Sequence, residues 1–174
     1  MRGAVDAGAE AVLLAPGIMG LDVLQYAREI AKSLGSNMLL FSHSTFASAL
    51  TRSPIIGIGA QAWVGYQRGA GADCVVLPST GGSFGVAPAD TLSAYESANS
   101  HHTVWKSSIC AHSGSLNSSN WHRIRDATRS SDFILTSGAG LFDHPLGAEA
   151  GARDLRKSLG GEHVNTDWLT SWTA

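Results

Sequence analysis

Five short apolar runs punctuate the chain, and they determine the architecture that the sequence predicts. Each run is about five residues long and apolar nearly throughout. Short runs of this kind, separated by longer segments, are typical of parallel strands with both faces covered. The five runs occupy residues 11–15, 38–42, 74–78, 108–111 and 133–136. They predict five β-strands that run parallel.

The segments between these runs predict helices. Apolar residues recur close to a 3.6-residue period from Leu21 to Leu34, and Gly35 follows as the expected C-terminal cap. Further helices are expected over residues 60–71, 88–98, from Ser118 or Ser119 to Arg129, and over 146–159. One βα unit needs roughly 30 residues, and the runs start at residues 11, 38, 74, 108 and 133. The spacing therefore predicts about five consecutive βα units.

The opening of the chain and the strand count leave two architectures open. Residues 2–8 are typical of the tail of a helix that enters the first strand, and such a tail implies an earlier strand. Five parallel strands could form an open doubly wound sheet that binds ligands at a reversal of strand order. They could also form part of a (β/α)₈ barrel, which needs eight strands and roughly 250 residues. The pattern alone does not choose between these.

The amino-acid composition argues against nucleic acid and membranes as partners. The 174 residues carry 12 Lys and Arg against 14 Asp and Glu, and this net charge of −2 favours neither nucleic acid nor an anionic membrane. There is no 18-residue apolar run and no apolar segment near Met1, so we expect neither a membrane span nor a signal peptide. Two cysteines, Cys74 and Cys110, do not make a disulfide framework, which favours the cytoplasm.

Small and polar residues follow every predicted strand, at the edge where parallel α/β folds bind ligands. The five strand ends are 16–20, 42–45, 78–83, 112–115 and 137–140. Backbone N–H groups in such turns can hold a phosphate, although strand-to-helix loops need Gly and Ser in any case. The structural explanation is favoured for a single loop. For the last two loops together the explanations are balanced, because barrel phosphate sites commonly follow strands seven and eight.

Two histidines end predicted strands and are candidates for acid/base chemistry. His43 follows the second strand, where a group that titrates near neutral pH could act, and His112 has the same placement after the fourth. A packed loop histidine is the simpler explanation for each. No second Cys or His pair stands at zinc spacing from Cys110 and His112, so zinc is not expected. Asp73 precedes a strand and lies at the opposite edge, which serves stability.

Three stretches resemble the RuBisCO large-chain family, and RuBisCO-like proteins in particular. They are residues 40–46 with Arg52-Ser53-Pro54 and Gly57-Ile58, residues 71–84, and residues 137–147 with 150–152. The third resembles the Gly-Gly-Gly…Gly-His-Pro…Gly signature of the large chain, and its end at His144-Pro145 is the most specific piece. The resemblance covers nearly the whole chain, in order.

The resemblance implies a (β/α)₈ barrel, of which residues 1–174 supply about strands four to eight. The family's N-terminal α+β domain and barrel strands one to three would be absent. So would the carbamylated lysine and two acidic neighbours that hold Mg²⁺, because Lys32, Lys106 and Lys157 lack the Lys-x-Asp-Glu context. We expect Mg²⁺ and a homodimer for the full-length family member, with no metal ligand in this chain.

The resemblance also implies roles for five residues. His43 matches a histidine near the metal and the enediolate. Ser113 and Gly114 match residues that contact substrate and a phosphate. Gly138 and Ala139 match backbone donors to the phosphate.

The chain also departs from the carboxylases at the matching positions. Ser44 stands where carboxylases carry an arginine, Val76 where they carry a histidine, and Ser115 where they carry a second glycine. The lysine of the mobile loop has no counterpart near Ser83. Loss of the arginine and the lysine removes two cations from a site that must stabilise phosphate and oxyanion. The chain therefore resembles the enolase and isomerase branches more than the bisphosphate carboxylases.

Three hypotheses follow. The first is part of a catalytic barrel that removes a proton next to the ketone of a phosphorylated, sugar-like substrate, with Mg²⁺ as Lewis acid and His43 as proton relay. Its outcome could be enolisation, isomerisation, decarboxylation or carboxylation, and we expect the chain alone to be inactive. The second is a non-catalytic remnant, or a subunit that completes its barrel with another chain. The third is an unrelated doubly wound phosphate binder.

Overall fold

A computed structural model describes residues 1–51 and 55–160 of the chain. Five strands alternate with helices in the predicted order. The elements are α1 (Arg2–Asp6), β1 (Ala11–Leu14), α2 (Pro16–Met19), α3 (Asp22–Ser33), β2 (Leu39–Ser42), α4 (Ala47–Thr51), α5 (Ala60–Gly69), β3 (Cys74–Pro78), α6 (Pro88–Asn99), β4 (Ile109–Ser113), α7 (His122–Thr128), β5 (Ile134–Leu135), α8 (Ala139–Phe142) and α9 (Ala148–Ser158). Within the described ranges, no helix is long and apolar enough to cross a membrane.

The five strands form one parallel sheet in the order β1-β2-β3-β4-β5. Parallel crossovers are almost always right-handed, so a sheet that grows in one direction places all its helices on one face. A doubly wound sheet needs a reversal of strand order instead. The consecutive order excludes the doubly wound hypothesis and agrees with the expected barrel topology.

The two faces of the sheet differ because the helices cover only one of them. On the helical face, Leu24 and Val64 pack with Val75 and Cys110 in the main apolar core. On the other face, Cys74, Val76 and Ala111 form a small buried cluster with Phe41, and the residues around this cluster are open. Leu13, for example, is 58% exposed. The exposed residues Leu13, Leu39, Ile109 and Ile134 define what we call the open face. Within the described residues, the expectation that both faces of the strands are covered therefore holds for the helical face and for this small cluster, and fails for the open face.

One cluster of charged groups at the amino end of the strands is paired. Asp73 precedes β3, and its carboxylate accepts hydrogen bonds from Arg28, Lys106 and the backbone N–H of Leu40. Burial alone would raise the pKa of Asp73, but these donors outweigh burial and hold the pKa below its usual value. This network ties α3, β2 and β3 together, as the stability edge of such a sheet should be tied.

Two local predictions need correction. The helix expected to start at Ser118 or Ser119 begins at His122 without a side-chain cap. Asn117 and Asn120 hold this segment in a turn, because the Asn120 side chain accepts from the Asn117 N–H at 2.8 Å. The strand expected over residues 133–136 has only two residues. The short helices α2, α4 and α8 are absent from the sequence prediction.

Candidate active site at the carboxyl edge of the sheet

The loops that follow β3, β4 and β5 pack closely against one another at glycine residues. A Cβ on Gly82 would lie 2.2 Å from the carbonyl oxygen of Gly114, and a Cβ on Gly140 would lie 2.0 Å from that of Leu116. Real Cβ atoms cannot approach so closely, so both positions require glycine. The backbone of each loop therefore packs directly on its neighbour, which fixes three strand ends relative to one another.

Ser113 ends β4 at this edge, and Gly114 follows it. The carbonyl oxygen of Ser113 accepts from the Ser79 N–H at 3.3 Å, and that of Gly114 accepts from the Ser83 N–H at 2.9 Å. Gly114 has a φ of 109°, and the ring of Phe84 lies where its side chain would be. The β3 loop thus closes over Gly114.

Gly138 and Ala139 follow the neighbouring strand β5 and are exposed. Gly138 is the residue before α8, and Ala139 is its first residue. Within the described ranges, the backbone N–H groups of Gly114, Ser115, Gly138 and Ala139 have no hydrogen-bond acceptor. Unpaired backbone donors at two adjacent strand ends can receive an anion. We call these four residues the N–H rim.

His43 lies directly after β2 and is half-buried. Its Nδ1 accepts the Thr45 N–H at 3.0 Å and also lies against the Thr45 hydroxyl. Because Nδ1 is an acceptor, the neutral ring carries its proton on Nε2. Among the described residues no partner contacts Nε2. His43 is therefore arranged to donate from Nε2 and not to accept a proton there.

The structure brings four of the five predicted residues to adjacent strand ends and sets the fifth apart. Ser113 ends β4 and Gly114 follows it, while Gly138 and Ala139 follow β5, the hydrogen-bonded neighbour of β4. His43 follows β2, so β3 lies between it and β4. Neighbouring strands lie about 4.8 Å apart, which separates the ends of β2 and β4 by about 10 Å. A ligand of several carbons is needed to reach both.

His112 lies inside β4 and not after it, contrary to the sequence prediction. It is fully buried on the helical side, where it contacts Phe133 edge-on, and its Nδ1 pairs with the Ser79 hydroxyl. Burial lowers the pKa of His112 to about 4. A buried neutral histidine under the helices is not a catalytic candidate. Burial likewise raises the pKa values of Cys74 and Cys110 to about 11 and 12, which leaves unreactive thiols.

The residues of this edge do not fit a magnesium site. Across residues 1–51 and 55–160, no three His, Cys, Asp or Glu side chains converge as metal ligands need to. The Arg52-Ser53-Pro54 piece of the sequence resemblance lies outside the described residues. What this edge offers is hydrogen-bond donors: the N–H rim, the Ser113 hydroxyl and His43 Nε2.

A parallel sheet with helices on one face and glycine-rich turns at its carboxyl edge defines a segment of the α/β-barrel class. No protein-family profile matches the chain. A sequence comparison aligns it with a 2,3-diketo-5-methylthiopentyl-1-phosphate enolase from Exiguobacterium sibiricum, at 33% identity over 160 residues, 89% of this chain and 38% of the relative. The chain spans about 38% of the length of the curated relatives that it matches.

Comparison with solved structures also finds RuBisCO-like proteins and Rubisco. The fold is similar to a rubisco-like protein (MtnW) from Alicyclobacillus acidocaldarius, with a TM-score of 0.76 and 26% identity over 91% of this chain and 39% of that one. It is also similar to the octameric Rubisco from Pyrococcus horikoshii, with a TM-score of 0.78 and 22% identity over 92% of this chain and 39% of that one. The chain is a homologue of the RuBisCO-like proteins, and its sheet has the fold of the corresponding part of Rubisco.

Proposed function

We propose that this chain forms the phosphate-binding side of an enolase-type active site, with its five strands as barrel strands four to eight. Residues 1–174 would then be part of the C-terminal barrel domain of a RuBisCO-like enzyme. The relatives support an enolase-type chemistry for the family. The proposed substrate is a phosphorylated ketone, which is the class to which the substrate in the printed name of these relatives belongs.

The unpaired N–H rim carries this proposal. Gly114, Ser115, Gly138 and Ala139 present donors without acceptors at two adjacent strand ends. A phosphate accepts several hydrogen bonds at once, and backbone amides supply them without cationic side chains. In the proposed complex the Ser113 hydroxyl donates from the same edge. The side of Gly138 is open, because no atom lies within 4 Å of a Cβ built there.

His43 has a narrower proposed role than a general proton relay. Thr45 donates to Nδ1, so the neutral imidazole presents an N–H from Nε2. Such a donor can stabilise the oxygen of an enediolate, or protonate it, as charge develops there. It cannot serve as the base that removes the first proton unless the contact with the Thr45 N–H breaks. In this proposal that base comes from residues other than those described.

Mg²⁺ would supply Lewis-acid stabilisation of the enediolate in the full-length family member, as the resemblance implies. Among the described residues, no set of side chains converges to bind it. The open face supports a further part of the proposal, that other strands cover Leu13, Leu39 and Ile109 to complete a barrel. These strands would come from the same polypeptide in a homodimeric enzyme, and the alternative is a separate chain.

The N–H rim is tested by titrating the full chain with inorganic phosphate and following its backbone amides by NMR. We expect the amides of Gly138 and Ala139 to shift together with that of Gly114. Gly138→Ala should weaken phosphate binding about tenfold, because its methyl group enters the space of the anion and touches nothing else in the described structure.

Gly59→Ala is the matched control. Gly59 also precedes a helix, has a negative φ and has no atom within 4 Å of a built Cβ. Its variant should bind phosphate as the parent does. If phosphate moves no rim amide, or if the two variants lose affinity equally, the assignment of the rim is wrong.

A further inference from the structure

A cleft of about 320 Å³ opens between α3 and α5, on the side of these helices that faces away from the sheet. Asp22 and Tyr66 line it, and each stands two residues from a core residue of its own helix, Leu24 and Val64 respectively. Two residues turn a helix by about 200°, so Asp22 and Tyr66 point away from the core. The layer of helices therefore separates this cleft from the sheet and from the proposed phosphate site.

Trp105 forms one wall of the cleft, and Arg68 of α5 holds its backbone in place. The Arg68 guanidinium donates to the carbonyl oxygen of Trp105 at 3.1 Å. It also donates to the carbonyl oxygens of Ser100 and Lys106, each at 2.7 Å. Arg68 is only 5% exposed, and no described ion pair includes it. A buried guanidinium that is saturated by carbonyl oxygens fixes the segment that carries Trp105.

The indole ring of Trp105 is fixed as well. The His102 imidazole stacks on it, with ring centroids 4.5 Å apart and an interplanar angle of 10°, and its Nδ1 accepts the Trp105 N–H at 3.1 Å. On α5, a Cβ at Gly69 would lie 3.0 Å from the indole Cζ2, so glycine lets the ring lie close to the helix. Trp105 nevertheless stays 42% exposed, and Tyr66 is 53% exposed. The cleft therefore presents two aromatic rings to solvent.

The charge of the cleft is negative. Asp22 is the one charged side chain in its described lining, and no described ion pair includes this carboxylate. Its place in the first turn of α3 favours the helix but leaves the carboxylate without a cation. The basic side chains of this region are engaged elsewhere, since Arg28 and Lys106 both pair with Asp73. The cleft thus combines two aromatic rings with an unneutralised carboxylate.

We propose that this cleft binds a quaternary ammonium ion, such as the trimethylammonium group of a small organic cation. The rings of Tyr66 and Trp105 attract the cation through their π electrons, and Asp22 supplies the opposite charge. Leu21 and Ala70 complete the lining with apolar surface for the methyl groups. Binding here needs neither phosphate nor metal, so the inference goes beyond the proposed enolase function and does not rest on it.

Other ligand classes fit this cleft less well. An anion would meet the Asp22 carboxylate, and the described lining contains no Lys, Arg or His to offset it. A primary ammonium is compact and strongly hydrated, so aromatic rings repay its desolvation less fully than that of a trimethylammonium group. An uncharged group of the same shape would leave Asp22 without a partner. The combination of charge and aromatic surface therefore selects a large, weakly hydrated cation.

The test titrates the full chain, labelled with ¹⁵N-tryptophan, with choline as the probe. The Trp105 indole resonance, assigned by Trp105→Phe, reports binding. The uncharged comparison is 3,3-dimethyl-1-butanol, in which carbon replaces the nitrogen of choline. The primary ammonium comparison is n-butylammonium. We expect choline to shift the resonance saturably and to bind at least about fivefold more tightly than either comparison compound. A comparison compound that binds as tightly as choline would overturn the proposal.

Two matched pairs of variants separate the cleft from the rest of the helical surface. Asp22 and Tyr66 line the cleft, whereas Glu29 and Tyr26 are exposed on α3 outside it. Asp22→Asn and Tyr66→Leu should each weaken choline about fivefold, while Glu29→Gln and Tyr26→Leu should change its affinity less than about twofold. All four side chains are exposed, so the variants should keep the fold. Undiminished binding in a cleft variant, an equal loss in its control, or no saturable shift of the Trp105 resonance would each overturn the proposal.

Discussion

The two edges of the sheet differ in whether the polar groups of their main cluster have hydrogen-bond partners. At the amino edge, the Asp73 carboxylate has three donors, from Arg28, Lys106 and the Leu40 backbone. At the carboxyl edge, the N–H rim has no acceptor in the described structure, and neither has Nε2 of His43. Exposed backbone donors gathered at two adjacent strand ends can receive a ligand, whereas the paired Asp73 cluster at the other edge contributes to stability.

The same difference appears within a single strand. β4 carries His112, which is sealed beneath the helices with its Nδ1 paired to Ser79. One residue further along, Ser113 faces the opposite side of the sheet and is partly accessible. Side chains alternate between faces along a strand. One step of sequence therefore separates a structural polar residue from a candidate functional one.

The largest expected effect concerns His112 and acid. The unfolded imidazole takes a proton near pH 6.5, whereas burial keeps the folded one neutral until about pH 4. Folding stability should therefore be full above pH 6.5 and fall as the pH drops from 6.5 towards 4, by up to about 3 kcal/mol. Urea unfolding at a series of pH values measures this loss.

His112→Gln should remove most of that pH dependence, because glutamine stays neutral and can still bond to Ser79. His101→Gln is the control, since His101 is exposed and its surroundings change little on unfolding. A His112→Gln protein that loses stability with acid as steeply as the parent would show that this histidine is not the cause.

The second prediction separates the two edges directly. Asp73→Asn should destabilise the chain by about 2 kcal/mol, because the carboxylate is only 13% exposed and Arg28 loses its charged partner. The affinity of the N–H rim for phosphate should not change. Gly138→Ala should do the reverse, with weaker phosphate binding and an unchanged urea midpoint. The contrast between the edges fails if either variant changes both quantities.

Much of the fold is predictable from the sequence because the strands are locally encoded. Each apolar run at 11–15, 38–42 and 74–78 becomes a strand within one residue of its expected limits. The spacing of apolar residues does not indicate which face of a strand is exposed. Leu13 and Val75 are equally apolar, but only Val75 packs against helices. The open face could therefore not be predicted from the sequence.

The sequence predicts those parts of the candidate site that depend on backbone N–H groups. It does not predict those parts that depend on how distant elements pack. Gly114 and Gly138 stand out as small residues after strands, and the structure leaves their N–H groups unpaired. The burial of His112 depends on α6 and Phe133, which are distant in sequence, so its placement could not be derived from its neighbours. A cavity beside Trp63 is formed by residues of α4, α5, the end of β3 and the segment before α6. No local sequence pattern predicts it.

The smallest expected effect lies at Ser115, where the carboxyl edge stores backbone strain. Ser115 has a φ of 58°, a conformation that glycine adopts at lower cost than serine, by about 1 kcal/mol. Its hydroxyl donates to Ser83 at 3.1 Å, in an exposed contact that stabilises by about 0.5 kcal/mol. Ser115→Gly should therefore stabilise the chain by about 0.5 kcal/mol in urea unfolding while keeping the N–H that the rim uses. Ser119→Gly, in a loop without a positive φ, is the control and should destabilise. A Ser115→Gly protein that is as unstable as this control would disprove strain at Ser115. A loss of phosphate affinity in Ser115→Gly would show that the N–H rim depends on the Ser83 contact as well as on backbone donors.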